Sequence, residues 1–295
     1  MNTSTAAASS PSTSGFVSAS SAAAIGLVAE ARSLDRGIGA FNVVLLEHAE
    51  AIVTGAEHAG LPVILQISQN AVKYHGSFEP IAAASLALAR ACSVPAIVHL
   101  DHAENVDLVH AAVDLGVQSI MFDGSALPYD ENVATTRAVV EYCHAHGVFV
   151  EAELGEVGGK DGVHAPGVRT QPHEAAAFVA ATGVDALAVA VGTSHAMTSR
   201  VATIDRSLVT QLKAAVPVPL VLHGSSGLSD DELVAAVRAG MTKINISTHL
   251  NGLFTAAVRQ ILTEDAAVVD PRKYVQPARQ AIAVEVERLL LLLAR

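Results

Sequence analysis

Three histidines, His102, His195 and His223, each close a short β-branched run or follow it by a few residues. Three imidazoles converging from separate loops suit Zn2+ with one position left open to water or substrate. The sharpest of these runs is Ile97-Val98-His99-Leu100-Asp101-His102, a buried-strand pattern ending in an acid and an imidazole. Burying both groups in an ordinary core is costly, so the run is expected to open onto a site. Asp101, beside a metal ligand, is placed to act as general base, its pKa set by burial and the nearby cation. For one histidine alone, a hydrogen-bonded loop or core residue is an equally good reading; the trio together favours a metal. His99 reads as a satisfied core histidine, with support of the metal site as the alternative. His48, His58, His110, His144 and His146 fall on helical patterns and are read as solvated.

The elements that must position these groups alternate along the chain. Eight β-branched runs can be placed, at Gly39-Val43, Val63-Ser68, Ala96-His102, Ser119-Gly124, Val148-Gly155, Ala186-Gly192, Leu220-Gly224 and Lys243-Thr248. Segments such as Glu47 to Gly60 and Asp230 to Gly240 show helical periodicity and end in Gly. That alternation predicts a (βα)8 TIM barrel. Polar residues gather at the C-terminal strand ends, where barrel sites are built: Asn42, Gln66 and Ser68, Asp101-His102, Asp123, Glu151 and Glu153, Gly192 to His195, His223 to Gly227, and Asn245 to Thr248. The last two loops, Gly224-Ser225-Ser226-Gly227 and Asn245-Ile246-Ser247-Thr248, supply the N–H groups and hydroxyls that suit a phosphate. None of Lys73, Lys160, Lys213, Lys243 and Lys273 sits at a C-terminal strand end, which argues against Schiff-base catalysis. Carbanion stabilisation would then need a Lewis acid, which the histidine trio can hold.

Composition limits the alternatives. Residues 23–295 are expected to form one barrel domain, and the Ser/Thr/Ala-rich stretch 1–22 a disordered extension without a signal or transit pattern. No apolar run approaches the roughly 20 residues that span a bilayer. A formal charge of −11 without a basic stripe argues against nucleic-acid binding. Cys92 and Cys143 make no disulfide framework, so a reducing cytoplasm fits. After the eighth run, Asn251 to Thr263 and Pro277 to Leu293 predict further helices, the last packed on the barrel or forming a subunit contact.

The ordered motifs resemble a known family. His99-Leu100-Asp101-His102, Phe122-Asp123-Gly124-Ser125 with Glu131-Asn132, Glu151-Ala152-Glu153-Leu154-Gly155, Gly192-Thr193-Ser194-His195, His223-Gly224-Ser225-Ser226-Gly227 and Lys243-Ile244-Asn245-Ile246 are similar to those of class II, zinc-dependent ketose-bisphosphate aldolases. Ala40-Phe41-Asn42 and Asp270-Pro271-Arg272 extend the resemblance over nearly the whole chain from Ala23. It implies reversible cleavage of a fructose or tagatose 1,6-bisphosphate to dihydroxyacetone phosphate and glyceraldehyde 3-phosphate. His102, His195 and His223 would hold Zn2+, and Asp101 would take the C4 hydroxyl proton. Asn245 would hydrogen-bond the enediolate. Gly224, Ser226, Ser247 and Thr248 would bind one phosphate, with a monovalent cation (Na+ or K+) in many members, and Arg272 would meet the distal one. Asn42, Ser68, Gly192 and Ala196 join the candidate substrate contacts, with Asp123 and Glu153 behind the metal. A homodimer or homotetramer is expected. Two positions depart from the pattern: Ala196 stands where relatives have Gly, and Asp161 is the nearest match to a loop glutamate that exchanges the C3 proton, Glu156 being another. A related branch cleaves a phosphorylated deoxy-keto acid of inositol breakdown. A different metal-dependent barrel hydrolase and a catalytically weak barrel subunit are the remaining alternatives.

Overall fold

In a computed structural model, which describes residues 18–154, 169–194 and 197–295, the β-branched runs form eight parallel strands. They are β1 (Ile38–Asn42), β2 (Val63–Ser68), β3 (Ala96–Ala103), β4 (Ser119–Phe122), β5 (Phe149–Leu154), β6 (Ala186–Val189), β7 (Leu220–Leu222) and β8 (Met241–Ile246). Each pairs with the next and β8 returns to β1, closing the barrel. The helices are α1 (Ser18–Ser33), α2 (Leu46–Ala59), α3 (Gln69–His75), α4 (Glu79–Ala91), α5 (Val106–Asp114), α6 (Tyr129–Ala145), α7 (Pro172–Thr182), α8 (Arg206–Ala215), α9 (Asp230–Ala239), α10 (Thr248–Glu264) and α11 (Arg272–Leu293). The TIM barrel and its extra C-terminal helices are as expected. Helix α1 starts within the stretch read as an extension, and β4, β6 and β7 stop short of their polar residues, which lie in the following loops.

The two-residue period of a strand sorts the interior into layers. Ile38 and Ala40, Ile64, Ile97, Met121, Phe149, Ala186 and Ala188, and Val221 face inward and meet Ala24, Leu27 and Val28 of α1, which plugs one end. Two residues further along the same faces stand Asn42, Gln66, His99, Asp123, Glu151 and His223. The intervening Phe41, Leu65, Ile67, Val98, Leu100, Ile120, Phe122 and Val150 face outward into the larger core beneath the helices. Each such buried side chain contributes about 1.5–3 kcal/mol, so the outer core carries the stability and the inner polar layer can serve chemistry.

Helix α11 packs on the barrel, with Leu289, Leu290, Leu292 and Leu293 buried and Leu291 exposed. It runs so close to α2 that a Cβ on Gly55 would lie 2.5 Å from the Ala283 carbonyl oxygen and 2.8 Å from Val286. Gly55→Ala should therefore destabilise the fold by about 1–2 kcal/mol in urea titration. Helix propensity alone would predict a gain of about 1 kcal/mol, and a gain would mean the two helices can part freely.

Candidate active site and metal centre

Asp101 and His102 are adjacent, so a regular strand would point them to opposite faces. The register between β3 and β4 contains one extra β3 residue, as Leu100 pairs with Ile120 but Ala103 with Phe122. His102 takes up this bulge in the left-handed region, at φ 51°. The kink turns its imidazole back to the barrel mouth beside Asp101, and a strained non-glycine backbone of this kind persists only where the surroundings impose it.

A chain of hydrogen bonds crosses the inner polar layer. Lys243, 1% exposed, donates to Glu151 at 2.7 Å and faces His99 Nε2 at 3.3 Å. His99 Nδ1 then meets Ser119 Oγ at 2.7 Å. The other Glu151 oxygen lies 3.0 Å from His223 Nε2. Burial opposes the charge on Glu151, but Lys243 and the His223 hydrogen bond outweigh it and hold its pKa at about 2. Burial pushes His223 down to about 4 and His99 to about 3, where Lys243 adds to the effect. Both rings are neutral near pH 7, and His99 is the satisfied core histidine that its pattern suggests.

These partners decide which nitrogens face the site. A carboxylate accepts only, so Glu151 takes the Nε2–H of His223, and Asp123, 2.8 Å from His102 Nδ1, takes the Nδ1–H of His102. His223 Nδ1 and His102 Nε2 then present lone pairs to one another at 3.0 Å. Two facing lone pairs repel unless a cation lies at that point, and imidazoles backed by carboxylates are the usual arrangement around a metal. The residues present therefore fit a metal ion. Asp101 completes one ligand group with His102 and His223, and Asp123 and Glu153 complete a second with His102.

Asp101 is held from one side. Asn42 Nδ2 donates to its Oδ2 at 3.1 Å, and Gln66 Nε2 donates to Asn42 Oδ1 at 2.8 Å. Its Oδ1 has no hydrogen-bond partner among the described residues and lies 4.0 Å from His102 Nε2. Burial works against ionisation of this carboxyl, but the charges that His102 and His223 carry in acid, together with Lys243, outweigh it and hold the pKa below the usual range. An ionised oxygen aimed at the metal position is what a general base there requires.

The loops after β7 and β8 touch one another. Ser225 Oγ donates to the Asn245 carbonyl, the Ser247 N–H donates to Ser226 Oγ at 3.3 Å, and the Asn245 amide lies 3.1 Å from His223 Nε2. Gly224 is left-handed at φ 68°, and a Cβ there would lie 2.6 Å from the Ser194 carbonyl oxygen. Thr248 begins α10, so Ser226, Ser247 and Thr248 stand at a helix N-terminus, a position suited to an anion, with Gly224 in the adjoining turn. Gly192 has φ 123°, and Ser68 is drawn beside Asp101 by the β2–β3 register while capping α3 through the Ala71 N–H. Arg272 is not brought to this cluster: its side chain is 88% exposed and its guanidinium bonds Asp270. His195, Ala196, Glu156 and Asp161 lie outside the described residues.

Two readings change. His48 is buried rather than solvated, because α10 covers it: it stacks on Phe254 and its Nδ1 accepts the Leu45 N–H. Lys243 was excluded as a Schiff-base lysine by its place within the strand, but its structural role was missed. The available signal was a lysine in the middle of a predicted barrel strand, two residues before Asn245 on the same face, where a buried charge needs an acid opposite it.

The family described as fructose-bisphosphate aldolase class-II matches residues 23–294. The chain belongs to that family. This class II aldolase, a lyase, is 40% identical over 253 residues to the fructose-bisphosphate aldolase of Geobacillus stearothermophilus, covering 84% of this chain and 88% of that one. Among solved structures, the YdjI aldolase of Escherichia coli K12 is 32% identical with a TM-score of 0.80, covering 92% of this chain and 96% of that one. The fructose-bisphosphate aldolase of Campylobacter jejuni, at 23% identity, shares the fold with a TM-score of 0.76 over 91% of this chain and 93% of that one. The family is metal-dependent, in agreement with the ligand groups around His102.

Proposed function

We propose that this aldolase uses Zn2+ held by His102, His195 and His223 to cleave a fructose or tagatose 1,6-bisphosphate reversibly into dihydroxyacetone phosphate and glyceraldehyde 3-phosphate. The observation that carries this reading is the pair of ring nitrogens facing one another at 3.0 Å with Asp101 Oδ1 beside them. A bound Zn2+ supplies the Lewis acidity that polarises the C2 ketone. Asp101 Oδ1 accepts the C4 hydroxyl proton while Asn42 and Gln66 keep the carboxylate in place. The C3–C4 bond then breaks, its electron pair passing to the enediolate and C4 leaving as the aldehyde. Asn245 hydrogen-bonds the enediolate, and Asp161 returns a proton to C3.

Gly224, Ser226, Ser247 and Thr248 bind the dihydroxyacetone phosphate end, with a Na+ or K+ ion beside it. Gly192, Ala196 and Ser68 complete the substrate contacts, whereas Arg272, paired with Asp270 on the outside of the chain, has no place among them. Two unbridged cysteines and the exposed Val284 and Leu291 on α11 support a homodimer or homotetramer in the cytoplasm. Assaying fructose bisphosphate, tagatose bisphosphate and a phosphorylated deoxy-keto acid side by side tests the substrate class. One of the two bisphosphates should exceed the keto acid in kcat/KM by roughly tenfold or more. A preference for the keto acid would overturn the assignment.

A further inference from the structure

We propose that Glu285 and Arg288 of α11 are positioning residues for the phosphate pocket, setting affinity for the substrate's phosphate rather than the rate of bond cleavage. This inference rests on the assignment of Gly224, Ser226, Ser247 and Thr248 as that pocket. The pocket is built on the loops after β7 and β8, which bond to one another through Ser226 and Ser247. A charged group on α11 ties both loops to the outer helices. Arg288 donates through its Nε and Nη2 to Glu285 at 2.8 and 2.7 Å. It also donates through Nη1 and Nη2 to Asp230, the first residue of α9.

From this pair, bonds run to each loop. Glu285 meets His249 Nε2 at 2.7 Å, and His249 follows Thr248 directly in the first turn of α10. Asp230 accepts from Arg200 at 2.7 Å, and Arg200 Nε donates to the Leu228 carbonyl at 2.6 Å, just past the Ser225–Gly227 turn. The Ala202 N–H adds a bond to the Gly227 carbonyl at 2.9 Å, joining the segment after β6 to the same turn. Three βα segments are thereby tied to a single guanidinium.

The charges persist at neutral pH. Burial raises the Glu285 pKa, but the hydrogen bonds from Arg288 and His249 hold it at about 2. Only the planar fork of arginine reaches two carboxylates at once, so lysine cannot replace it fully. The hydrogen bonds of these five residues run to one another and to the loops, so the effect passes through loop position. Backbone N–H groups aimed at an anion lose much of their grip when displaced by a fraction of an ångström.

The test uses the metal-loaded enzyme and its better ketose bisphosphate, with inorganic phosphate as a competing ligand. Arg288→Met should raise KM about tenfold and weaken phosphate competition by a similar factor, with kcat held within about twofold and metal content unchanged. Arg288→Lys should fall between the two, and Glu285→Gln should follow Arg288→Met, which keeps the proposal testable if one variant misfolds. A lower Tm with unchanged KM and phosphate competition would reduce the pair to a structural tie and overturn the proposal. A fall in kcat with KM kept would do the same. Ser226→Ala and Ser247→Ala separate the two levels. If they raise KM and Arg288→Met does not, only the positioning role fails; if they change neither KM nor phosphate competition, the pocket assignment fails with it.

Discussion

Asp101→Asn is expected to lower ketose-bisphosphate cleavage by roughly 10³-fold while leaving metal content and thermal unfolding close to the parent. The amide has the same shape as the carboxylate, and its oxygen can still accept the Asn42 Nδ2–H that now reaches Oδ2 at 3.1 Å. What it loses is the charged oxygen 4.0 Å from His102 Nε2, the group placed to take a proton. The metal position is built mainly on His102 and His223, each fixed by its own carboxylate, Asp123 and Glu151, so removing the Asp101 charge should leave it occupied. The loss should appear in kcat and in kcat/KM alike, as expected for an interaction made in the transition state. Asp101→Asn protein with kcat within about tenfold of the parent would remove the base assignment, whatever its metal content.

Lys243→Met is expected to cost about 3–5 kcal/mol of folding stability in urea titration. Lys243 and Glu151 are both buried, and their 2.7 Å ion pair is the main compensation for the Glu151 charge. Removing one partner leaves a carboxylate in the barrel with His223 as its hydrogen-bond partner among the described residues. The energy is a property of the pair and not of the lysine, and the double variant Lys243→Met with Glu151→Gln shows the difference. Glutamine carries no charge, yet its carbonyl can still accept from His223 Nε2, so the double variant should recover more than half of the loss. If the single variant unfolds within about 1 kcal/mol of the parent, water or another cation must already compensate Glu151, and the pair is not what holds the polar layer.

The barrel and most of its mouth were legible because they depend on local patterns. Ile97, His99 and Asp101 face inward at every second position, and the same period places Ile64 before Gln66 and Phe149 before Glu151. The approach of His102 to His223 and the meeting of Ser226 with Ser247 occur at strand ends where polar residues had been noted, while His195 lies outside the described residues. Harder to read were features that depend on residues far apart. His102 faces the site only through a left-handed bulge, and strand periodicity would have turned it outward. Lys243 looks like a misplaced surface residue until Glu151, 92 positions earlier, is folded beside it. His48 sits on a helix whose polar neighbours suggest solvent, and only the approach of Phe254 from α10 shows that it is buried. Arg272 illustrates the reverse: its motif suggests a phosphate contact, whereas in the structure its guanidinium bonds Asp270 two residues away.

The central claim is that cleavage depends on a cation held where His102 Nε2 and His223 Nδ1 face one another. The direct measurement is the rate of ketose-bisphosphate cleavage before metal removal by a strong chelator, after it, and after Zn2+ is added back. Stripping should lower the rate by at least about 10²-fold, and Zn2+ should restore it in the parent but not in His102→Ala. Undiminished cleavage by the stripped enzyme would contradict the account.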